Sequence, residues 1–374
     1  MPRLRTSRPS EPGIRRLRRG RGFRYVHASG EPVSGEDRER IEQLVIPPAW
    51  QDVWICPSPT GHLQAVGTDA AGRRQYLYHP RWRERQERTK RQHILDIAKA
   101  LPAAREHVQQ DLERGDFSRA HALAVAFRLL DLGLFRVGGE AYAAANGSYG
   151  LATLLKDHVT VSADGLVFDY VAKSGIRRHV VLNDPQCEAA LATMKRRRSG
   201  GNELLAWRDE APPATWHDIT SADINAYLHD VLGQEASAKD FRTWHGTVLA
   251  ARALGDAPPA DHVSPSARKR IVAAAMREVA EALGNTPAVA RASYVDPRVI
   301  DLWHDGVSLA PVVDALGEAS APGAPPGARP AQAQEALEQA VLALLTQEPE
   351  AAARRVRRLA GTTSSRGKRG RAAA

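Results

Sequence analysis

The pattern of apolar and polar positions changes period along this chain. Near the N-terminal end three strand-like runs, 52–56, 62–68 and 73–79, are separated by Pro-Ser-Pro-Thr-Gly and Asp-Ala-Ala-Gly. Short β-favouring runs bounded by such turn formers predict a small, mostly β domain. From 82 to about 115 the period becomes helical, with Ile94, Leu95, Ile97, Ala98 and Leu101 recurring among Arg, Glu, Lys and Gln. The change of period predicts a boundary near residue 82.

Further along, 120–134 reads as a buried helix. Residues 157–183 read as three short strands broken at Ala163-Asp164-Gly165 and at Lys173-Ser174-Gly175, which puts Lys173 on a hairpin tip. Helical spacing returns at 221–232, 242–254, 266–283 and 286–292. Ala/Pro/Gly-rich sequence after Gly317 reads as a linker to about Pro330. One amphipathic helix is expected over 333–359, ahead of a Gly/Ser/Arg tail, and no internal repeat is present. The fold class is therefore α+β, a small β-rich domain followed by a larger, mainly helical one that contains a three-stranded β element.

Composition refines this picture. The 374 residues, 43% of them hydrophobic, suffice for about two domains with real cores. The net charge of +9 is unevenly placed: residues 1–24 carry nine Arg against Glu11, and 354–371 carry eight Lys or Arg and no acid, leaving 25–353 at −7. Runs of like charge read as solvated arms that add phosphate contacts on a polyanion. Any polyanion-binding face on the body must then come from local clustering. Cys56 and Cys187 stand far apart, outside any zinc-like spacing, so neither a disulfide framework nor a structural metal is indicated. No apolar run suits a secretory signal or a membrane span, and the expected location is cytoplasmic, at the nucleoid.

Five residues carry the candidate chemistry. They are Arg136 in Phe-Arg-Val-Gly, Lys173 in Val-Ala-Lys-Ser-Gly, Arg242 in Lys-Asp-Phe-Arg-Thr, Asn285 in Leu-Gly-Asn-Thr-Pro, and Tyr294 nine residues later. A tyrosine with cationic and amide donors around it suits attack on a phosphodiester, where the protein's task is to hold charge on the transferring phosphorus centre. In order and spacing the set resembles the active site of type IB DNA topoisomerases, in particular the small bacterial and poxvirus-like branch. Ile-Pro-Pro-Ala-Trp at 46–50 and Gly-Arg-Arg-Gln-Tyr-Leu-Tyr at 72–78 match the same family, and the resemblance runs from about residue 23 to 316.

The resemblance implies a divided chain: a basic disordered arm over 1–22, a DNA-binding β-rich domain over 23–82, a catalytic domain of the tyrosine recombinase/topoisomerase IB fold over 83–316, a linker over 317–332, and a helix with basic tail over 333–374. It implies relaxation of supercoiled duplex DNA through a 3′-phosphotyrosyl link at Tyr294, by a monomer closing as a clamp. Arg136 and Arg242 would neutralise the non-bridging phosphate oxygens and favour the phenolate. Lys173 would protonate the departing 5′ oxygen, and Asn285 would donate its amide to a phosphate oxygen. In the family the 72–78 strand enters the major groove, which implies base or backbone contacts from Gln75, Tyr76 and Tyr78, with Arg73 on a phosphate. Tyr142 and Lys239 complete the DNA-contact candidates, while His245 reads as structural. With no Gly-x-x-x-x-Gly-Lys-[Ser/Thr] loop and no cluster of metal ligands, neither ATP nor a bound metal is implied.

Two departures from the family stand out. Viral and eukaryotic members usually carry histidine where this chain has Asn285, and Gly139 replaces a lysine of the poxvirus-type members. Two other readings remain open at this level. A tyrosine recombinase shares the catalytic half, although recombinases usually show His-x-x-Arg where this chain has Lys239 three residues before Arg242. A non-catalytic DNA-coating protein on the same scaffold would also suit the basic arms.

Overall fold

The computed structural model describes residues 3–162, 165–321 and 326–371, with side chains described through residue 362. The chain divides into two compact units, Met1–Gln92 and His93–Ala374.

The first unit is built on a five-stranded antiparallel sheet. Its strands are β1 (Ile14–Arg19), β2 (Gly22–Val26), β3 (Gln51–Ile55), β4 (Leu63–Thr68) and β5 (Arg74–Tyr78), in the order β2-β1-β3-β4-β5. Helix α1 (Gly35–Gln43) contributes Ile41 to a core shared with Ile14, Val53, Ile55 and Ala65. The expected disordered arm over 1–22 is corrected here, because β1 lies inside it. Ile14 is fully buried opposite Ile55 of β3. The Arg16 guanidinium lies 4.2 Å from the Phe23 ring centroid and donates to the carbonyls of Ile46, Pro47 and Trp50. A count of arginines hides this, since only the apolar Ile14 and the stacked Arg16 anchor the strand.

The second unit is mainly helical. Helix α2 (Pro80–Glu113) crosses the division between the units, and α3 (Arg119–Gly133) and α4 (Glu140–Asn146) follow. An antiparallel sheet of β6 (Val159–Ser162), β7 (Gly165–Val171) and β8 (Arg177–Leu182) comes next, in that order. The expected break at Ala163-Asp164 lies outside the described residues. Helix α5 (Pro185–Arg196) precedes a two-stranded ladder of β9 (Ala206–Arg208) and β10 (Trp216–Asp218). The remaining helices are α6 (Ser221–Leu232), α7 (Ala238–Gly255), α8 (Pro265–Leu283), α9 (Pro287–Ser293), α10 (Arg298–His304), α11 (Ala310–Leu316), α12 (Ala331–Thr346) and α13 (Pro349–Arg371). Among the described residues, no helix is long and apolar enough to cross a membrane.

Helix α7 is buried almost all round, the mark of a central helix, with Trp244, Val248 and Leu249 among its core residues. It starts at Ala238 rather than at the expected Arg242, because the Asp240 carboxylate accepts from the Ser237 N–H at 2.8 Å and closes the first turn. Two expectations for the C-terminal part also fail. In place of one helix over 333–359 there are two, broken where Pro349 holds the preceding Glu348 out of helical geometry. The end of the expected linker is packed rather than free: Pro326 and Arg329 are buried, and Gly327 lies against Leu132 of α3.

Candidate active site

Four of the five candidate residues are brought together where α3, α7, α8 and α9 end or pass. Helix α3 stops at Gly133, and Leu134 turns the chain through a left-handed φ of 56°. Phe135 then buries its ring against Phe168, centroids 4.9 Å apart, and so fixes Arg136, the next residue. Asn285 sits in the connection between α8 and α9. That connection is set by Gly284, which takes φ +59° and lies so near Arg178 that a Cβ would come within 2.6 Å of its side chain. Pro287 opens α9, and Tyr294 closes it, its N–H donating to Ala290 O at 3.0 Å.

Arg136 holds the group together. Its Nη1 donates to the Tyr294 hydroxyl at 3.1 Å, and its Nη2 donates to Asn285 Oδ1. Arg242, 3% exposed on α7, places its guanidinium carbon 5.0 Å from the Tyr294 ring centroid and donates to Leu134 O and Leu283 O, the latter at 2.8 Å. Those carbonyls belong to the ends of α3 and α8, so one arginine ties together the segments leading to Arg136 and to Asn285. Burial, then the neighbouring Arg136, lowers Arg242 to about 10, which leaves it charged at neutral pH. Burial alone would raise the Tyr294 hydroxyl, but the charge of Arg242 and the hydrogen bond from Arg136 outweigh it and bring the group below its usual value. Two buried donors here, Asn285 Nδ2 and Arg242 Nε, have no partner among the described residues. Buried donors are ordinarily paired, so this pair is suited to an anionic oxygen beside Tyr294.

Three supporting residues went unnoticed in the sequence. Arg178 on β8 is buried and donates to Ala282 O at 2.8 Å and to Glu281 O at 3.4 Å, joining the hairpin strand to the end of α8. The available signal was its phase, since Arg178 alternates with the apolar Val180 and Leu182. Gly246 on α7 allows the Tyr294 backbone to approach, for a Cβ there would lie 2.8 Å from Tyr294 O. Thr247 Oγ1 donates to Thr243 O at 2.9 Å, has Tyr294 O within 3.4 Å and accepts from the Asp296 N–H at 3.0 Å, so it meets the nucleophile segment on both sides of Val295. His245, read as structural, is fully buried with Nε2 2.8 Å from Asp131 Oδ1.

Lys173 is not brought to the other four. It opens a short turn between β7 and β8, where Ser174 and Gly175 take left-handed φ values of 65° and 72°, and its exposed ammonium pairs with no side chain among the described residues. In the first unit, Arg73 stands just before β5 and pairs with Asp69 at 2.9 Å, and the Gln75 amide donates to the same carboxylate at 2.9 Å. The hydrogen bonds from Arg73 lead those that hold Asp69 down at about 2. Tyr76 and Tyr78 stack with centroids 6.2 Å apart on one face of the strand, with Tyr76 47% exposed. Alternation puts Arg74 on that face and Gln75 on the other, so Arg74 joins the candidates that sequence reasoning named. Tyr142 on α4 and Lys239 in the first turn of α7 are both exposed.

Two family models and several viral proteins are similar to this chain. Residues 79–301 match the family model of the eukaryotic DNA topoisomerase I catalytic core, and residues 22–69 match that of the bacterial DNA topoisomerase IB N-terminal domain. The DNA topoisomerase 1B of Acanthamoeba polyphaga mimivirus is 30% identical over 300 residues, covering 78% of this chain and 88% of the viral protein. The DNA topoisomerase I of Monkeypox virus is 22% identical over 284 residues, with 73% and 85% covered. The DNA topoisomerase 1B of Vaccinia virus (strain Copenhagen) is 21% identical over 281 residues, again with 73% and 85% covered.

Proposed function

Because this chain belongs to the type IB DNA topoisomerases, we propose that it relaxes supercoiled duplex DNA through Tyr294, without ATP, and reseals the strand it cuts. The Tyr294 oxygen attacks the phosphorus, losing its proton to water. The bond from phosphorus to the 5′ oxygen breaks, the DNA 3′ end remains on the enzyme as a phosphotyrosine, and the 5′ oxygen leaves as a hydroxyl. The free 5′ end rotates about the intact strand and then attacks the phosphotyrosine in reverse. The energy of the original bond is kept throughout, so resealing needs no fuel. The single observation that carries this reading is the Arg136 bridge from the Tyr294 hydroxyl to Asn285, beside two unpaired buried donors. In this reading Arg136, Arg242 and Asn285 hold the phosphate oxygens, and Lys173 serves as the acid. Arg73, Arg74, Tyr76, Tyr78, Tyr142 and Lys239 meet DNA, Gln75 on the opposite strand face steadies Asp69, the ion-pair partner of Arg73, and the protein acts as a monomer that closes on the duplex at the nucleoid.

The test is the linkage itself. A nicked duplex whose short downstream fragment, bearing the new 5′ hydroxyl, diffuses away on cleavage should leave a detergent-resistant adduct, with DNA joined by its 3′ phosphate to the peptide bearing Tyr294. Attachment through a 5′ phosphate, or to another residue, would overturn the proposal.

The electrostatics give a second test. With Tyr294 below its usual hydroxyl value, about 10, single-turnover cleavage should rise with pH and level off before that value. The groups that lower it are Arg242 and Arg136, so Arg136→Ala should move the rise to higher pH as well as slow the reaction. An unchanged midpoint would mean that Arg136 does not act on the nucleophile.

Asn285 is open to a substitution that separates its two ends. Asn285→Asp keeps an acceptor for Arg136 but sets a negative charge where the free amide faces phosphate. Cleavage should fall by roughly 10²-fold or more, the cost of losing one oxyanion donor. Asn285→His, which accepts at one ring nitrogen and donates at the other, should retain activity and add a titration near about 6.5 to the pH profile. Wild-type cleavage by Asn285→Asp would make the residue a turn former only.

A further inference from the structure

The match to the family's catalytic core ends at residue 301, yet α12, which begins at Ala331, reaches into the centre of the second unit. Its buried face meets the catalytic elements at two places. At the first, Glu338 faces a network of buried charges. Arg105 of α2 donates through Nε and Nη2 to Asp131 of α3 at 2.7 and 2.9 Å, and through Nη1 and Nη2 to Glu338 at 2.8 and 2.9 Å. His245 of α7 has Nε2 2.8 Å from Asp131 and Nδ1 3.6 Å from Glu338, and the Gln334 amide donates to Glu338 at 2.7 Å. Asp131 lies on the last turn of α3, shortly before Leu134, whose carbonyl accepts from Arg242, and Arg136. His245 lies one turn after Arg242. The network therefore sits directly behind both arginines of the active site.

The second place is the C-terminal end of α12. Arg298 Nη1 donates to Leu345 O at 3.0 Å, while its Nη2 pairs with Asp296 at 2.7 Å. Asp296 follows Tyr294 by two residues and shares the Thr247 hydroxyl with it. The orphan carbonyl at a helix end is thus satisfied by the segment that carries the nucleophile.

We propose that α12 is a positioning element of the reaction, setting Arg136 and Arg242 through Glu338 and Tyr294 through the Leu345 carbonyl. This rests on the reading of Tyr294 as nucleophile. The physical reason is that these contacts join α12 directly to the elements that carry the reacting side chains. Without Glu338, Arg105 is left with Asp131 of α3 alone and the Gln334 amide with His245 Nδ1 at 3.4 Å, so α12 no longer ties α2 to α7 through this carboxylate. Small shifts at reacting atoms are costly, because in-line attack depends on near-contact geometry.

The experiment compares Glu338→Ala, Arg298→Ala, Arg298→Lys and the exposed α12 variant Glu335→Ala in the full chain, well below their melting temperatures. Glu335 is exposed, and its side chain accepts from Gln339 of its own helix. Single-turnover cleavage at saturating protein should fall roughly tenfold in Glu338→Ala and Arg298→Ala, with the dissociation constant for DNA within about twofold of wild type. Arg298→Lys keeps a donor for Leu345 and a charge for Asp296, and should recover most of the rate. Glu335→Ala should match wild type. Should Glu338→Ala fail to fold, Arg298→Ala decides, since that side chain is partly exposed. Wild-type rates in the folded variants would overturn the proposal, as would affinity falling in step with rate or no recovery in Arg298→Lys. A wild-type protein forming no adduct at Tyr294 would instead remove the reading of the site.

Discussion

Tyr294→Phe should form no covalent adduct and relax no supercoils, a loss on the order of 10⁴-fold or more, as when a covalent enzyme loses its nucleophile. The substitution deletes one oxygen and little else. The ring, 7% exposed, keeps its packing, and the Arg242 guanidinium keeps a face to stack on at 5.0 Å. Arg136 loses the hydroxyl but retains Asn285. DNA affinity and melting temperature should therefore stay close to wild type, which separates lost chemistry from lost fold. A tyrosine this buried could serve packing alone, and phenylalanine would then be harmless. Wild-type relaxation by Tyr294→Phe would move the nucleophile to another residue, whereas no relaxation and no adduct from the wild-type protein would leave a DNA-coating protein on this scaffold as the better reading. Both assays, adduct formation and plasmid relaxation, use the full-length protein.

What the sequence disclosed, and what it hid, follows from where each signal resides. The order Arg136, Arg242, Asn285, Tyr294 was readable because four short motifs carry it, and the structure joins those residues through Arg136 and Arg242. The β3, β4 and β5 runs were readable because Pro-, Gly- and Asp-rich turns bracket them. Strand β1 was not, because four of its six residues are arginines and its one fully buried residue, Ile14, is swamped by charge. Arg178 was passed over for a related reason: a buried arginine is rare, and only alternation marks it. The network of Arg105, Asp131, His245 and Glu338 joins residues from four helices far apart in sequence. Periodicity reports which face of a helix is apolar, and says nothing of which charges meet across two hundred residues of chain. The break at Pro349 was legible in principle, and was missed because the amphipathic pattern continues on both sides of it.

Lys173→Ala should slow cleavage of ordinary DNA by roughly 10²- to 10⁴-fold, the range for loss of a general acid. Much of that loss should vanish when sulfur replaces the bridging 5′ oxygen at the cleavage site. The leaving group of the normal reaction is an alkoxide, a strong base that departs slowly unless protonated as the bond breaks. A thiolate, whose conjugate acid lies near about 8.5 for a cysteine-like thiol, departs without such help. On the proposed reading, Lys173 comes to the cut strand only once DNA is present. Its ammonium is exposed and pairs with no side chain among the described residues, while the hairpin beneath is braced by Arg177, which pairs with Asp169 at 2.7 Å, and by the Ala172 N–H, which donates to Ile176 O at 2.8 Å. A stiff stalk with a left-handed turn at Ser174 can carry the lysine towards the cut strand as a unit. The decisive comparison is the ratio of sulfur to oxygen cleavage rates, large in Lys173→Ala and small in wild type. Equal ratios would exclude Lys173 as the acid and turn attention to Arg136, whose guanidinium already touches the attacking oxygen and could pass a proton across the phosphate.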